Sequence, residues 1–278
     1  MIEKSFIHIQ GIGKTTEERL WQRGITSWDL FEKAHASGEK LPQAKIALAA
    51  IATSRKHLAQ GDLRYFETLF PASEAWRLYP GHEARTCFLD IETTGDGRFC
   101  HITTIALYDG TSVSTYVRGE NLKDFQEAIR QFDTVVTYNG KSFDLPVIRR
   151  EMQLPMEMAH IDLRYVLGAL GIKGGLKKCE ETLGLDRKDL TGLDGYAAVL
   201  MWRAFRHTKE RRYLETLLAY NVADTINMEP LLHEACRRHS LRLPLGMEPL
   251  LKKANRPQNP YIPDARVISE MKTIQGCA

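Results

Sequence analysis

A chain of 278 residues with 43% hydrophobic and 26% charged content has the make-up of a soluble globular protein, long enough for one large core or a main domain with a smaller companion. Its net charge of +3 and pI near 8.5 permit nucleic acid as a partner without implying it. Five scattered cysteines with no CxxC pair speak against a disulfide framework or zinc site and for a reducing compartment. With no run near the ~20 apolar residues of a membrane span and no signal-peptide core, a soluble, cytoplasmic chain is expected.

The first segment reads SFIHIQGIGKTTEERLWQRGITSWDLFEKA. Phe6, Ile7 and Ile9 precede Gly11-Ile12-Gly13. Thr15 and Thr16 then start a helix with Glu18 in its first turn and Leu20 and Trp21 on its apolar face. Gly24 closes that helix, and Ser27 with Leu30 and Phe31 opens another. The GIG turn and the GI-T-x-x-x-L pattern after it resemble the helix-hairpin-helix motif. The resemblance implies that backbone N–H groups at Gly11 and Gly13, with Lys14 beside them, contact a nucleic-acid phosphate; a tight inter-helix turn made for packing is the alternative. A further helix over residues 42–59 completes a small all-α unit, residues 1–60. Residues 61–84 are expected to connect, with LRYFETLF as a short helix and Trp76, Leu78 and Tyr79 packing onto the next domain.

From residue 85 the order alternates. Residues 87–95, CFLDIETTG, read as a buried strand. Residues 101–108 (HITTIALY) and 112–117 (SVSTYV) come next as strands around an Asp109-Gly110 turn. Asn121 is placed to cap a helix carrying Leu122, Phe125, Ile129 and Phe132. Residues 134–138 (TVVTY) form a fourth strand, 143–152 a helix and 159–163 (AHIDL) a fifth strand. Helices run on to about residue 238, broken at glycines 171–175 and 184–192. Three antiparallel strands, helix, strand, helix, strand, then helices is the ribonuclease H-like order. An α/β fold is therefore expected over residues 85–240: a mixed five-stranded sheet flanked by helices. The Pro- and Asn-rich stretch NRPQNPYIPDARV lies in a tail, residues 241–278, expected as a surface strap or a disordered end.

Three acidic contexts carry the chemistry. Asp90 and Glu92 alternate onto one face of the first strand, about two rises or ~6.6 Å apart. Two acids side by side on a core strand repel each other and lose hydration. Either a divalent cation with oxygen ligands compensates, or the strand runs out into solvent there. Asp144, in YNGKSFDLP, comes just after a strand end and opens a helix. Asp224, in YNVADTINM, sits four residues after Tyr220 on one helix face. Taken together, these four acids are a set that two metals would need.

DxE-x-T-G, Asn-x4-Phe-Asp and Tyr-x3-Asp, in that order, resemble the DEDD 3′–5′ exonucleases of the tyrosine subgroup. YNGKSFDLP is similar to the proofreading domain of family B DNA polymerases. The whole stretch, with GLKKCEETLGL, is most similar to the YprB-type predicted exonucleases. The likeness covers roughly residues 74–238. No polymerase or helicase domain comes after it, so proofreading in cis is not expected.

The resemblance implies that Asp90, Glu92, Asp144 and Asp224 bind two divalent cations, Mg²⁺ or Mn²⁺, and that Tyr220 orients the attacking water. A phenol of pKa ~10 is a poor general base. Thr93, Thr94 and Gly95 would lie beside the terminal nucleotide, while Asn139 and Phe143 would line the strand path. Asp162 is weighed as support for the metal-binding acids. Lys173, Lys177, Lys178, Arg187 and Lys188 form one basic cluster. Arg203, Arg206, Lys209, Arg211 and Arg212 form another; each is either a phosphate path or a solvated helix face. No histidine pair has zinc-ligand spacing. The expected activity is metal-dependent 3′–5′ hydrolysis of DNA or RNA, with the 3′ end of a nucleic acid as the partner. A non-catalytic nucleic-acid-binding protein of the same fold is the alternative.

Overall fold

The computed structural model describes residues 1–95, 97, 99–185, 190, 192–244, 251, 254–255 and 257–276. Among them, the sheet strands are β1 (Thr86–Thr93), β2 (Ile102–Tyr108), β3 (Val113–Val117), β4 (Thr134–Thr137) and β5 (Ala159–Asp162). The helices before the sheet are α1 (Lys14–Gln22), α2 (Trp28–Ala36), α3 (Ala44–Ala59) and α4 (Leu63–Leu69). Within and after it come α5 (Phe125–Ala128), α6 (Asp144–Met152), α7 (Leu163–Gly168), α8 (Leu176–Thr182), α9 (Gly195–Thr208), α10 (Arg211–Ile226), α11 (Met228–Ser240) and α12 (Ala265–Gly276).

The five strands form one sheet in the order β3-β2-β1-β4-β5. β1 is central, antiparallel to β2 and parallel to β4, and β5 is parallel to β4. This is the mixed α/β sheet expected from the alternating pattern. Strands covered on both faces need apolar side chains on both, and β1 has them. Cys87, Leu89 and Ile91 enter a core with Phe125, Leu145 and Ile148, whereas Phe88 enters the core on the other face. Alternation then puts Asp90 and Glu92 on the Phe88 face, the side on which α10 packs. The ladder between β1 and β2 shifts register between Glu92 and Thr93: Glu92 pairs with Thr104 and Thr93 with Ile102. Such a bulge bends the strand and re-aims side chains at its end.

The core on the Phe88 face is continuous. It joins Phe6, Trp28, Phe31 and Phe66 through Trp76 and Tyr79 to Ile161, Leu163 and Leu231. The tie is also polar. Arg77, in the buried turn Ala72–Leu78, donates to both oxygens of Glu17 at 2.9 Å and to Glu74 at 2.9 Å. Glu17 also accepts the backbone N–H groups of Phe6 and Ile7 at 2.6 and 3.2 Å.

Several sequence expectations need correction. Asn121 does not cap a helix with its side chain; its amide accepts from Val117 and donates to Thr115. α1 begins at Lys14 rather than at Thr15 or Thr16, so the acid in its first turn is Glu17, which is buried, and Glu18 is exposed. The described residues of the tail include a helix as well as a strap. Asp264 caps α12 by accepting from Arg266 and Val267, and Val267, Ile268 and Met271 pack in a core with Trp202 and Leu214. The stretch before it is held by Tyr108 donating to Asn255 O, Asn259 donating to Ala219 O, and a Thr115–Tyr261 hydroxyl contact. No helix among the described residues is long and apolar enough to cross a membrane.

Candidate active site

β1 and α10 bring the acids together across the sheet face. Asp90, Glu92 and Asp224 each offer a carboxylate oxygen, and these lie within 4.8 Å of one another. Asp144 stands at the start of α6, is 5% exposed, and takes the Ile91 N–H at 3.3 Å on its Oδ1. It lies outside the tightest group of three but close enough to act on Asp90 electrostatically. Burial raises the Asp90 carboxyl well above the usual carboxylate range, and the charges of Asp224, Glu92 and Asp144 push the same way. Burial likewise raises Asp144 to about 7, against the N–H donors that favour its charged form. Acids gathered at this cost to their own ionisation are what a cation would relieve.

Asn221 stands inside YNVADTINM, between Tyr220 and Asp224, but the sequence pattern points to no role for it. It is fully buried, donates through Nδ2 to Asp90 Oδ2 at 2.6 Å, and accepts from the Thr104 hydroxyl at 3.0 Å. It thus braces Asp90 against β2 and favours the carboxylate's charged form. The available signal is its position three residues before Asp224, which puts both on one face of α10. Tyr220, one turn before Asp224, is 2% exposed, and Lys177 Nζ lies 4.7 Å from its ring centroid. Lys177 also donates to the Leu193 carbonyl.

Asp162 supports the acids indirectly. Its oxygens accept the N–H groups of Asn139 (2.8 Å), Lys141 (3.1 Å) and Arg164 (3.0 Å). It therefore pins the turn between β4 and Asp144, in which Asn139 adopts a left-handed conformation, φ 65°. Gly140 in that turn lies against Thr137: a Cβ there would stand 2.2 Å from Thr137 Oγ1. Phe143 is the residue before α6 and packs, partly buried, on the core with Leu145 and Ile148. On the other side, Thr93 donates to Gly95 O at 2.5 Å, and Thr94 pairs with His101 through backbone and hydroxyl.

The remaining predicted contacts scatter. Gly11 has φ +83°, in the left-handed region, whereas Gly13 has φ −93°. Lys14 pairs with Glu74 at 2.5 Å. Lys178, Arg211 and Arg212 are engaged by Glu181, Glu120 and Glu210. Arg203 and Arg206 line an open cleft of about 530 Å³ with Thr94. Arg187 and Lys188 lie outside the described residues.

No curated protein matches the chain. Among solved structures, the family B DNA polymerase from the hyperthermophilic archaeon Pyrobaculum calidifontis is similar over 64% of this chain, with a TM-score of 0.42 and 15% identity. The chain spans 31% of that polymerase's length. A family model described as the RNase_H superfamily matches residues 87–236, from β1 to the middle of α11. That match takes in the four acids, Tyr220 and more than half of the 278 residues. The chain belongs to the RNase_H superfamily.

Proposed function

We propose that this chain is a metal-dependent 3′–5′ exonuclease of the YprB-type, tyrosine-bearing branch, acting in the cytosol on DNA or RNA. The observation that carries the reading is the meeting of Asp90, Glu92 and Asp224 within 4.8 Å, with Asp144 beside them. The donor set fits Mg²⁺ or Mn²⁺: every group is a carboxylate oxygen, and neither thiol nor imidazole belongs to the cluster. Two such ions, when bound, lower the pKa of a water and stabilise charge on the phosphoryl oxygens.

The chain's own residues do the rest. Asp90, Glu92 and Asp224 hold the cations, Asp144 completes the set from α6, and Asn221 fixes the Asp90 rotamer. Tyr220 holds the attacking water through its hydroxyl and acts as an orienter, because the phenol is too weak a base at neutral pH. The turn Thr93-Thr94-Gly95 sits beside the terminal nucleotide, and Asn139 with Phe143 borders the strand. The direction of digestion rests on Tyr220 and Asp224 sharing one face of α10, as in the tyrosine subgroup.

Residues 1–60 are proposed as a helix-hairpin-helix-like tether. Lys14 is taken by Glu74, so phosphate contact falls to N–H groups at the start of α1, which carries no side-chain cap. The reading is tested with 5′-labelled linear and circular single strands of DNA and RNA. A ladder shortening from the 3′ end and an untouched circle are expected, and cleavage of the circle would overturn the exonuclease assignment.

A further inference from the structure

The end of β1 is flanked on two sides. In the sheet order β3-β2-β1-β4-β5 the turn carrying Asn139 follows β4, whereas α9 packs toward β3, its Ala197, Met201 and Trp202 sharing a core with Val117. On the α9 side lies an open cleft of about 530 Å³, lined by Thr94, Trp202, Arg203, Arg206 and His207. No carboxylate lines it among the described residues. Arg203 and Arg206 are exposed, and neither pairs with an acid among the described residues, unlike Arg211 and Arg212 in the next helix.

Positive charge is gathered here against its own repulsion. The Arg118 guanidinium, just past β3, is lowered by burial and further by the charge of Arg206. Its one acidic partner, Glu151, also accepts the Ile102 N–H at 2.7 Å. The helix dipole accounts for Arg206 and His207 in the last turn of α9, but Arg203 stands before that turn. The Arg206 guanidinium lies 5.9 Å from the ring centroid of Trp202, which is only 3% exposed. That ring is a floor under the cation and offers no open face to a base. The cleft therefore suits phosphates rather than stacked bases.

The course of the cut strand decides whose phosphates these are. In the exonuclease reading it runs past Asn139 and Phe143 and ends beside Thr93-Thr94-Gly95. It has nothing beyond its own 3′ end to reach α9. In a duplex with a recessed 3′ end, the complementary strand does continue past that point, as a 5′ overhang. We propose that the cleft of Arg203 and Arg206 holds the phosphates of this overhang, which makes a recessed 3′ end the preferred substrate. This rests on the exonuclease reading for which strand ends at Thr94, but binding in the cleft needs no hydrolysis.

The test is fluorescence anisotropy of the full chain, in EDTA throughout, with labelled probes made in DNA and in RNA. They are a hairpin whose 3′ end is recessed under a 5′ overhang, the same hairpin with a blunt end, and a free single strand. Wild type should bind the overhang hairpin more tightly than the blunt one. Arg203→Gln and Arg206→Gln should each lower the slope of log K against log salt on the overhang hairpin by about 0.7, the value for one single-strand phosphate. Both should leave the blunt hairpin and the free strand as in wild type. Arg203→Lys should keep the wild-type slope, because a phosphate contact of this kind needs only the charge. The proposal is overturned if neither Gln variant lowers the slope on the overhang hairpin, if both lose as much on the free strand, or if wild type binds the overhang and blunt hairpins alike. A chain that hydrolyses nothing in Mg²⁺ or Mn²⁺ yet binds in the expected pattern removes the nuclease reading and leaves the cleft. A working nuclease whose Gln variants bind like wild type does the reverse.

Discussion

Replacing Asn221 by alanine separates the work of the metal-binding acids from the packing around them. The side chain makes two buried hydrogen bonds, at 2.6 Å to Asp90 and 3.0 Å from Thr104. Without metal, Asp90 is raised toward its protonated form, so the bond it loses is worth about 1 kcal/mol and the orphaned Thr104 hydroxyl costs a further ~1–3 kcal/mol. With metal, Asp90 must be ionised, and a donor to a charged acceptor is worth ~1.5–3 kcal/mol. The Thr104 cost is common to both states, so the difference of ~0.5–2 kcal/mol means that Asn221→Ala should bind Mn²⁺ about 2- to 30-fold more weakly. Calorimetric titration of Mn²⁺ into the metal-free protein, without nucleic acid, reads this directly, and thermal unfolding reads the stability loss. Asn227→Ala is the control. Asn227 is also buried and near the end of α10, but it donates to Glu180 at 2.9 Å. It should lose comparable stability and keep wild-type Mn²⁺ affinity. Unchanged Mn²⁺ binding by Asn221→Ala, or an equal loss in Asn227→Ala, would refute the bracing role.

Three further outcomes are expected from the structure. His8, 6% exposed and enclosed by Trp28, Phe66 and Phe70, is lowered by burial to about 4. The unfolded chain protonates it first, so its contribution is full above about 6.5 and lost as pH falls toward 4, a total of about 3 kcal/mol. Urea titrations at stepped pH should show that slope reduced in His8→Leu, leaving the part from His160, which titrates in the same window; equal slopes would refute it. Glu17→Gln should cost about 1.5–3 kcal/mol, because buried Arg77 keeps Glu74 but loses its charge-assisted bonds to Glu17; a loss under about 1 kcal/mol in urea unfolding would count against the network. Gly140→Ala should cost ~1–3 kcal/mol and slow hydrolysis, since its methyl would press on Thr137 in the turn that sets Asp144; wild-type stability and rate would show that the turn yields freely.

The acids are legible in the sequence because strand and helix periods fix relative facing within one element. The two-residue spacing of Asp90 and Glu92 and the four-residue spacing of Tyr220 and Asp224 need no tertiary information. Asn221 bonds a residue 131 positions away, and no local period points there. Glu17 and Glu18 differ by about 100° around α1, so only its docking onto Arg77 decides which turns inward. Lys14 reads as a phosphate ligand until Glu74 is found beside it. In the tail, prolines and asparagines hide a helix whose start is nonetheless marked by Asp264 and whose apolar side is Val267, Ile268 and Met271.

The central claim is that the Asp90, Glu92, Asp144 and Asp224 carboxylates run hydrolysis through divalent cations. The most direct test compares wild type with Asp90→Asn on a 5′-labelled single strand, in Mg²⁺, in Mn²⁺ and in EDTA. Wild type should shorten the strand from its 3′ end only when metal is present, and Asp90→Asn should fold normally and leave it intact. Turnover that survives EDTA, or an Asp90→Asn protein that digests at the wild-type rate, would contradict the account.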